Sequence, residues 1–421
     1  MHRTALAVAC LWLLAGCATK KTTVDVLGTV VEDSGTPLAG LRVLIEGHAL
    51  VTTDASGRFT VSDVEPPYRI IIERSPDTFV VFDGLTAANP TFSTGVSFVD
   101  YSASLSGQLE GTDAGRKTAV ALVSSDALGL KLTDATGPNQ PYTLDATLFK
   151  PTASGQLYAL DWTPDGAGNA ATFNGYTALS GVALADGGAF AGLDLTLNPV
   201  PSTHDLVVNA SVPGGYDVLE LRAGLRPWPA DAWGVSMTSA ELTSPTLPTT
   251  VMVPDLSGAR MQISLWVRAP GSTAALGDGV AWKSVPTSVT SVDLAVPARP
   301  ELLGPADGAT GVEAGAEFSW TPPPDAISIF VLHGRIIMWA FTNGSTFTLP
   351  DLSPFGSAYG SGTSYTWRVS AFGLGGHEDL DAVLQSPEGR TLMLIVGASF
   401  KKPLTEEGYV VTGSSRAFTT P

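Results

Sequence analysis

The stretch GTSYTWRVSAFG, residues 362–373, decides the fold class of this chain. Its apolar residues Trp367, Val369 and Ala371 alternate with polar ones. Successive side chains of a β-strand point to opposite faces of the sheet. The stretch therefore predicts a strand with one apolar and one polar face.

Other parts of the chain show the same strand signals. Phe59 and Val61 alternate with polar neighbours, and ISIFVLHGRIIMWAF, residues 327–341, predicts two strands around the turn HGR. The 45 glycines and 30 prolines lie between short apolar runs, which suits many turns joining short strands. HEDLDAVLQ, residues 377–385, is the best candidate for a short helix. We predict an all-β chain of β-sandwich domains in tandem.

Bulk composition narrows the class of protein. At 421 residues the chain is too long for one ordinary core, and about 100–200 residues per domain predicts two to four domains. Apolar residues make up 44% and charged residues 15%, which excludes a disordered chain. The net charge is −17 and the acids are dispersed, so the surface would repel nucleic-acid phosphates. We expect no nucleic-acid partner.

The N-terminus has the layout of a secretory signal peptide. Arg3 precedes about twelve mostly apolar residues that end in small ones, and this apolar run is too short to span a bilayer. The signal ends in Leu14, Ala15, Gly16 and Cys17. These four residues resemble the lipobox of bacterial lipoproteins. The resemblance implies that residues 1–16 are removed and that Cys17 receives the lipid; the alternative is an ordinary signal peptide with an incidental cysteine.

A lipidated Cys17 also accounts for how cysteine is used along the chain. The second cysteine, Cys10, lies in the signal, so the mature chain holds one cysteine and no internal disulfide. Residues 17–23 then form the lipidated end and its tether. Ala18 follows the cysteine, where Asp would imply inner-membrane retention in the family's sorting pattern, so the resemblance favours the outer membrane. The partner at this end is the lipid bilayer.

The segment after the tether is dense in strands and turns. The features that decide its resemblance are GTVV (28–31), PLAGLRVLIEG (37–47), TDASGRFTV (53–61) and PYRIII (67–72). In this order they resemble the carboxypeptidase regulatory-like domain, a transthyretin-like sandwich, over about residues 24–82. Zinc carboxypeptidases carry an H-x-x-E pair beside this module, and no histidine here has that spacing. The resemblance therefore implies a binding or scaffolding module without peptidase activity.

The last segment, residues 299–421, resembles a fibronectin type III-like sandwich. Trp320 would be a core residue on an early strand, and Tyr365 would occupy the place of the tyrosine corner. The segment 374–408 is longer than the usual connection there, so the assignment of the last two strands stays open.

Proline-rich junctions divide the chain into four predicted sandwiches, because a proline after a strand cannot continue the ladder. Their bounds are 24–98, 99–200, 201–298 and 299–421. AGLDLTLNPV (191–200) echoes TSVDLAVPAR (290–299), so the two middle domains are either related or converged on similar amphipathic strands. We expect separate cores with few contacts across the junctions.

Three clusters of polar or aromatic residues are candidate sites. His377, Glu378, Asp379 and Asp381 favour an acidic helix start over a metal site. Asp161, Asp165 and Asn169 favour a hairpin loop over a calcium site, since the EF-hand spacing is absent. Trp228 and Trp233, in the loop RPWPADAWG, either cover a sandwich end or stack on sugar rings.

No catalytic motif appears in the chain. Zincin, C-x-x-C, G-x-S-x-G and P-loop patterns are all missing. We therefore expect a non-enzymatic envelope lipoprotein, without metal or cofactor, that binds an envelope protein or polysaccharide through sandwich loops. The alternatives are a hydrolase with an unrecognised site in residues 99–298 and a carbohydrate-binding lipoprotein.

Overall fold

The computed structural model of the chain describes residues 22–32, 35–94, 101–226, 236–273, 277–386 and 406–421. These residues form thirty-one strands, one short α-helix and one 3₁₀ turn. The predicted all-β fold class is confirmed. Within the described ranges, no helix is long and apolar enough to cross a bilayer.

The first seven strands form a two-layered sandwich. They are β1 (Val24–Val31), β2 (Arg42–Ile45), β3 (Val51–Thr52), β4 (Arg58–Val64), β5 (Tyr68–Ser75), β6 (Thr78–Leu85) and β7 (Thr91–Ser93). β1 lies between β4 and β7 in one layer, and β3, β2, β5 and β6 follow one another in the other. Val30, Phe59, Ile72 and Phe82 pack in the core between the layers.

The turn that leads into β4 shows why its sequence is TDASG. The Asp54 carboxylate accepts hydrogen bonds from the backbone N–H groups of Ser56 at 2.7 Å and Arg58 at 2.9 Å. Gly57 has φ of 70°, and a Cβ there would lie 2.4 Å from the Val30 carbonyl oxygen. Only glycine fits this position.

The second group of strands encloses a core of its own. It comprises β8 (Tyr101–Glu110), β9 (Lys117–Val123), β10 (Ala127–Asp134), β11 (Asn139–Leu148), β12 (Thr152–Pro164), β13 (Ala170–Ala185), β14 (Ala189–Phe190), β15 (Leu195–Thr196) and β16 (Asn198–Pro199). β14 and β15 pair with β8 along one edge of the sheet, and β16 pairs with β13 at the opposite edge. The sandwich predicted for residues 99–200 therefore takes the form of one curled sheet whose edges are bridged.

The third group faces the outer side of this curled sheet. Its strands are β17 (Thr203–Ser211), β18 (Asp217–Arg226), β19 (Met237–Thr243), β20 (Thr249–Pro254), β21 (Arg260–Arg268), β22 (Gly279–Pro286) and β23 (Ser291–Ala295). β20, β17 and β23 form one layer, and β19, β18, β21 and β22 follow one another in the second. Leu160 and Trp162 of β12 join Leu206 and Ile263 in one continuous core.

The fourth group completes the fold. It contains β24 (Glu301–Gly304), β25 (Ala309–Thr310), β26 (Glu317–Thr321), β27 (Ile327–His333), β28 (Ile337–Thr342), β29 (Thr346–Thr348), β30 (Ser364–Leu374), β31 (Glu407–Thr419), a 3₁₀ turn (Ser353–Phe355) and α1 (Leu380–Gln385). Trp320 and Trp367 are buried, as predicted. The Tyr365 hydroxyl donates to the Tyr359 carbonyl, six residues upstream. The fibronectin resemblance itself stays a prediction.

One sheet runs through three of these four groups. Its order is β19-β18-β21-β22-β31-β30-β27-β28-β6-β5-β2-β3. β28 pairs in parallel with β6, and β22 pairs antiparallel with β31. The expectation of separate cores with few contacts between them is therefore wrong. As separate sandwiches, β6 and β22 would each present unpaired backbone groups at an edge, and continuous pairing satisfies those groups.

Arg69 strengthens the seam between the first and last groups. Its Nε and Nη2 donate to the two Asp83 oxygens at 2.9 Å each, and its Nη1 donates to the Thr348 carbonyl at 3.0 Å. The guanidinium lies 4.9 Å from the centre of the Phe347 ring. Burial opposes the charge, but Asp83 and Glu46 together raise the pKa of Arg69. The first sandwich is thus tied to the last by a charged side chain as well as by strand pairing.

Two further contacts cross the same seam. Arg42 pairs with Glu73 and donates through Nη1 to the Phe355 carbonyl at 2.9 Å. The Asp381 carboxylate, on α1, accepts from the Thr86 backbone N–H at 2.8 Å. The seam is closed on both faces of the sheet.

Candidate functional site

A groove of about 570 Å³ opens where β22 ends and β31 begins. Its lining residues are Arg260, Lys283, Ser284, Val285, Pro286, Gly375, His377, Glu406 and Glu407. We call it the strand-end groove.

The register of three strands creates this groove. β31 begins at Glu407, opposite Lys283, whereas β22 continues to Pro286 and stays paired with β21 up to Arg260. β22 therefore extends past the start of its neighbour. The Ser284 N–H still donates to the Glu406 carbonyl at 2.5 Å, which fixes the floor of the groove.

Two ion pairs line the groove. Arg260 Nη2 lies 2.9 Å from Glu406 Oε2, and Lys283 Nζ lies 2.7 Å from Glu407 Oε2. The glutamate side chains are 55% and 52% exposed. Pairs this open to water contribute only about 0–1 kcal/mol each. Other anions can therefore compete with the glutamates for both cations.

A third cation lies beside Arg260 on the next strand of the sheet. Arg226 of β18 is opposite Arg260 in the register and is 2% exposed. Burial and the charge of Arg260 lower the pKa of Arg226, and the charge of Glu406 acts in the opposite direction. Three cations and the carboxylates of Glu406 and Glu407 thus lie close together at this end of the sheet.

The groove opens at the same end of the sheet as the first residue of β1. Val24 pairs with Val64 at the end of β4, and a short link leads to Tyr68, which pairs with Leu85. From Leu85 the same end can be followed from each strand to the next across the large sheet. The paired residues that mark this end are, in order, Asp83 with Thr342, Ile327 with Phe372, Leu374 with Gly408, Glu407 with Lys283, and Pro286 with Arg260. We call this the tether end of the sheet.

The predicted acidic cluster divides into separate roles. Asp379 caps α1, accepting from the Ala382 N–H at 2.8 Å, so the helix begins at Leu380 rather than at residue 377. His377 lines the groove, and Asp381 faces Thr86. The helix-start interpretation is confirmed. In the part of the chain that the structure describes, no three His, Cys, Asp or Glu side chains are grouped to hold a metal.

The second predicted cluster is a hairpin turn, as the sequence favoured. Asp165 Oδ1 accepts from the N–H groups of Ala167 at 2.8 Å and Asn169 at 2.9 Å, between β12 and β13. Asn169 Oδ1 accepts from the Glu241 N–H at 2.7 Å and so covers the outer edge of β19. Asp161 is buried within β12, where Arg116 Nη1 donates to it at 2.9 Å.

Cys17, Trp228 and Trp233 lie outside the described residues, and their roles remain predictions. The strands that bracket the tryptophan loop are β18 and β19, which pair with each other. β18 ends at Arg226, which is opposite Arg260 in the register.

Apart from His377, the residues that line the groove were not predicted from the sequence. Arg260 and Glu406 are 146 positions apart, and neither belongs to a motif. Their neighbourhood follows from the shared sheet, in which β22 of the third group pairs with β31 of the fourth. The sequence feature that marks the groove is the pair of adjacent glutamates, Glu406 and Glu407, at the start of β31.

No protein-family model and no curated protein matches the chain. Among solved structures, the Bacillus anthracis TIE protein is similar over 65% of this chain and 50% of its own, at 9% identity and a TM-score of 0.15. The streptococcal ancillary pilin is similar over 66% of this chain and 100% of its own, at 11% identity and a TM-score of 0.14. BcpA, the major pilin subunit of Bacillus cereus, is similar over 65% of this chain and 98% of its own, at 9% identity and a TM-score of 0.13.

This chain thus spans half the length of the TIE protein. Likenesses this weak leave the function to be argued from the molecule's own geometry.

Proposed function

We propose that the chain is an exported bacterial lipoprotein, held by a lipid on Cys17, with a structural and binding role at the cell envelope. The observation that carries this is the position of the first strand. The first described strand begins at Val24, seven residues after Cys17. A lipid on Cys17 would then hold a body of which three groups share one sheet.

The tether sets how that body meets the membrane. Residues 18–23 reach about 20 Å when fully extended, at about 3.3–3.6 Å per residue. Val24 is the first residue of β1, so the first sandwich would stand close to the bilayer. The outer membrane is the proposed location, from Ala18 after the cysteine.

The geometry of the strand-end groove supports binding rather than catalysis. Its cations are paired with carboxylates, and Arg260 donates to Ser284 Oγ at 3.3 Å and to the Ser284 carbonyl at 2.6 Å. The groove thus presents charges and hydrogen-bond donors to a ligand. Trp228 and Trp233 are candidates for contact with a polysaccharide.

The anchor is tested by changing Cys17 to Ser in the full-length precursor. Acylation should be lost, and the protein should leave the membrane fraction, because the tether and fold would have no other lipid. Cys10→Ser is the matched control, since this cysteine lies inside the signal and should leave partitioning unchanged. A Cys17→Ser protein that stays with the membranes after a high-salt wash would contradict the proposal.

A further inference from the structure

One face of the shared sheet carries an arginine that has no ion-pair partner. Arg368 of β30 is opposite Val331 of β27, and Val331 is opposite Trp339 of β28, so the three side chains lie in one row. Val331 is buried, whereas Arg368 and Trp339 are partly exposed. No described residue forms an ion pair or a hydrogen bond with the Arg368 side chain, and its buried Nε has no acceptor.

The neighbours of Arg368 in this part of the sheet are polar and neutral. Ser415 of β31 is opposite Arg368, and Thr366 of β30 is opposite His333 of β27; all three neighbours are exposed. Burial and the charge of Arg368 lower the pKa of His333, so its ring is neutral near pH 7 and can both donate and accept a hydrogen bond. We call the surface formed by His333, Trp339, Thr366, Arg368 and Ser415 the Arg368 face.

The strands that form the Arg368 face supply no carboxylate to neutralise it. β27, β28 and β30 contain no Asp or Glu, and β31 contains only Glu407, eight residues before Ser415. Asp77, in the turn before β6, acts on the other face of the sheet. Burial, together with the charge of Asp77, raises the pKa of Tyr365, whose ring lies in the core on that other face. These strands therefore present positive charge on a chain whose net charge is −17.

We propose that the Arg368 face binds an acidic polysaccharide, with a sugar carboxylate on Arg368 and a neighbouring sugar ring against Trp339. The inference rests on the proposed binding role and names the ligand class, on a surface separate from the strand-end groove. A guanidinium without an internal partner offers a planar set of donors suited to a carboxylate. A partly exposed indole ring can cover the apolar face of a sugar. Arg368 and Trp339 are two strand spacings apart, about 9–10 Å, which two linked sugar rings can span.

The position of this face within the sheet favours a polysaccharide over an acidic peptide. β27 and β30 are central strands that pair on both sides, so their backbone groups are already engaged. An extended peptide adds to a sheet through unpaired edge groups, which these strands do not offer. The hydroxyls of Thr366 and Ser415 and the neutral His333 ring instead match sugar hydroxyls, which both donate and accept hydrogen bonds.

The test measures binding of short polygalacturonate oligomers to the full mature chain by isothermal titration at low salt, with neutral dextran and polyglutamate as comparison ligands. Polygalacturonate should bind, and neither comparison ligand should. Arg368→Gln should weaken binding at least about tenfold, because one charge-assisted contact is lost. Thr366→Asp should weaken binding as well, because the new carboxylate would pair with Arg368 in place of the ligand. Thr366 is exposed, so this second variant leaves the core intact.

The matched control is Arg335→Gln. Arg335 lies in the turn between β27 and β28, where its charge acts on Tyr365 of the other face, so its removal should leave binding unchanged. The proposal is overturned if polygalacturonate does not bind, if Arg368→Gln weakens binding no more than Arg335→Gln does, or if polyglutamate binds with the same dependence on Arg368. Membrane fractionation of Cys17→Ser does not involve this face, so failure of the ligand and failure of the anchor are separate results.

Discussion

Changing Phe59 to Ala tests whether the shared sheet makes one cooperative unit. Phe59 lies in the first sandwich, 4% exposed, with its ring 6.3 Å from that of Phe92. Removing a buried phenylalanine side chain costs about 3–5 kcal/mol. If the three groups that share the sheet unfold together, roughly 300 residues give an unfolding entropy of about 0.6 kcal/mol/K. The melting temperature should then fall by about 6 °C.

A separate first sandwich would behave differently. Its roughly 70 residues give an unfolding entropy of only about 0.15 kcal/mol/K, so the same loss would lower its melting temperature by more than about 20 °C. The rest of the molecule would not respond.

Tryptophan fluorescence in a Trp339→Phe background separates these outcomes, because residues 24–94 contain no tryptophan and Trp339 pairs directly with Val80 of β6. Trp320 and Trp367, both buried in the last group, report on the distant core. We expect the tryptophan transition of Phe59→Ala to shift with the circular dichroism transition. Leu27→Ala, in the same sandwich but 54% exposed, should shift neither. An unchanged tryptophan transition beside an early loss of β-signal would refute the cooperative unit.

Three other outcomes follow from the structure. Asn169→Ala should expose the Glu241 N–H at the edge of β19 and increase self-association in light scattering, while Asn209→Ala, which removes an exposed amide bonded to Asp293, should not. Burial raises the pKa of Asp161 in the folded chain, and the hydrogen bond from Arg116 only partly offsets this effect. The contribution of Asp161 to folding stability therefore falls as pH rises above its unfolded pKa of about 3.9. Asp161→Asn should gain stability relative to wild type between pH 4 and pH 7 in urea titrations, and a relative loss would show that the Arg116 pair dominates. Residues 17–421 hold one cysteine, so this mature chain should melt at the same temperature with and without reductant, and a shift would point to a crosslink between copies.

Local patterns predicted the individual strands well. The alternation at Phe59 and Val61, the turn after Asp54, and the two strands around His333 all appear where the sequence places them. These features depend on neighbours in the chain, and side-chain periodicity is visible over a few residues.

The strand pairings that join the groups could not be predicted from local sequence patterns. Arg69 meets the Thr348 carbonyl across 279 positions, and the parallel pairing of β6 with β28 leaves no mark in either strand. Both strands are buried on both faces, so each has the apolar composition of any central strand. The strand-end groove depends on such a join and was missed for the same reason.

The pairing of β1 has a mechanical consequence for a protein held by its N-terminus. β1 is flanked by antiparallel β4 and parallel β7, and its first residue, Val24, lies at the tether end. A pull on a lipidated Cys17 would act along the axis of β1. The backbone bonds to both neighbours would then carry the load together in shear, instead of opening one after another as in a peeled hairpin. Extraction of β1 should therefore be the high-force step when the molecule is stretched between its lipid and the end of the sheet opposite Val24.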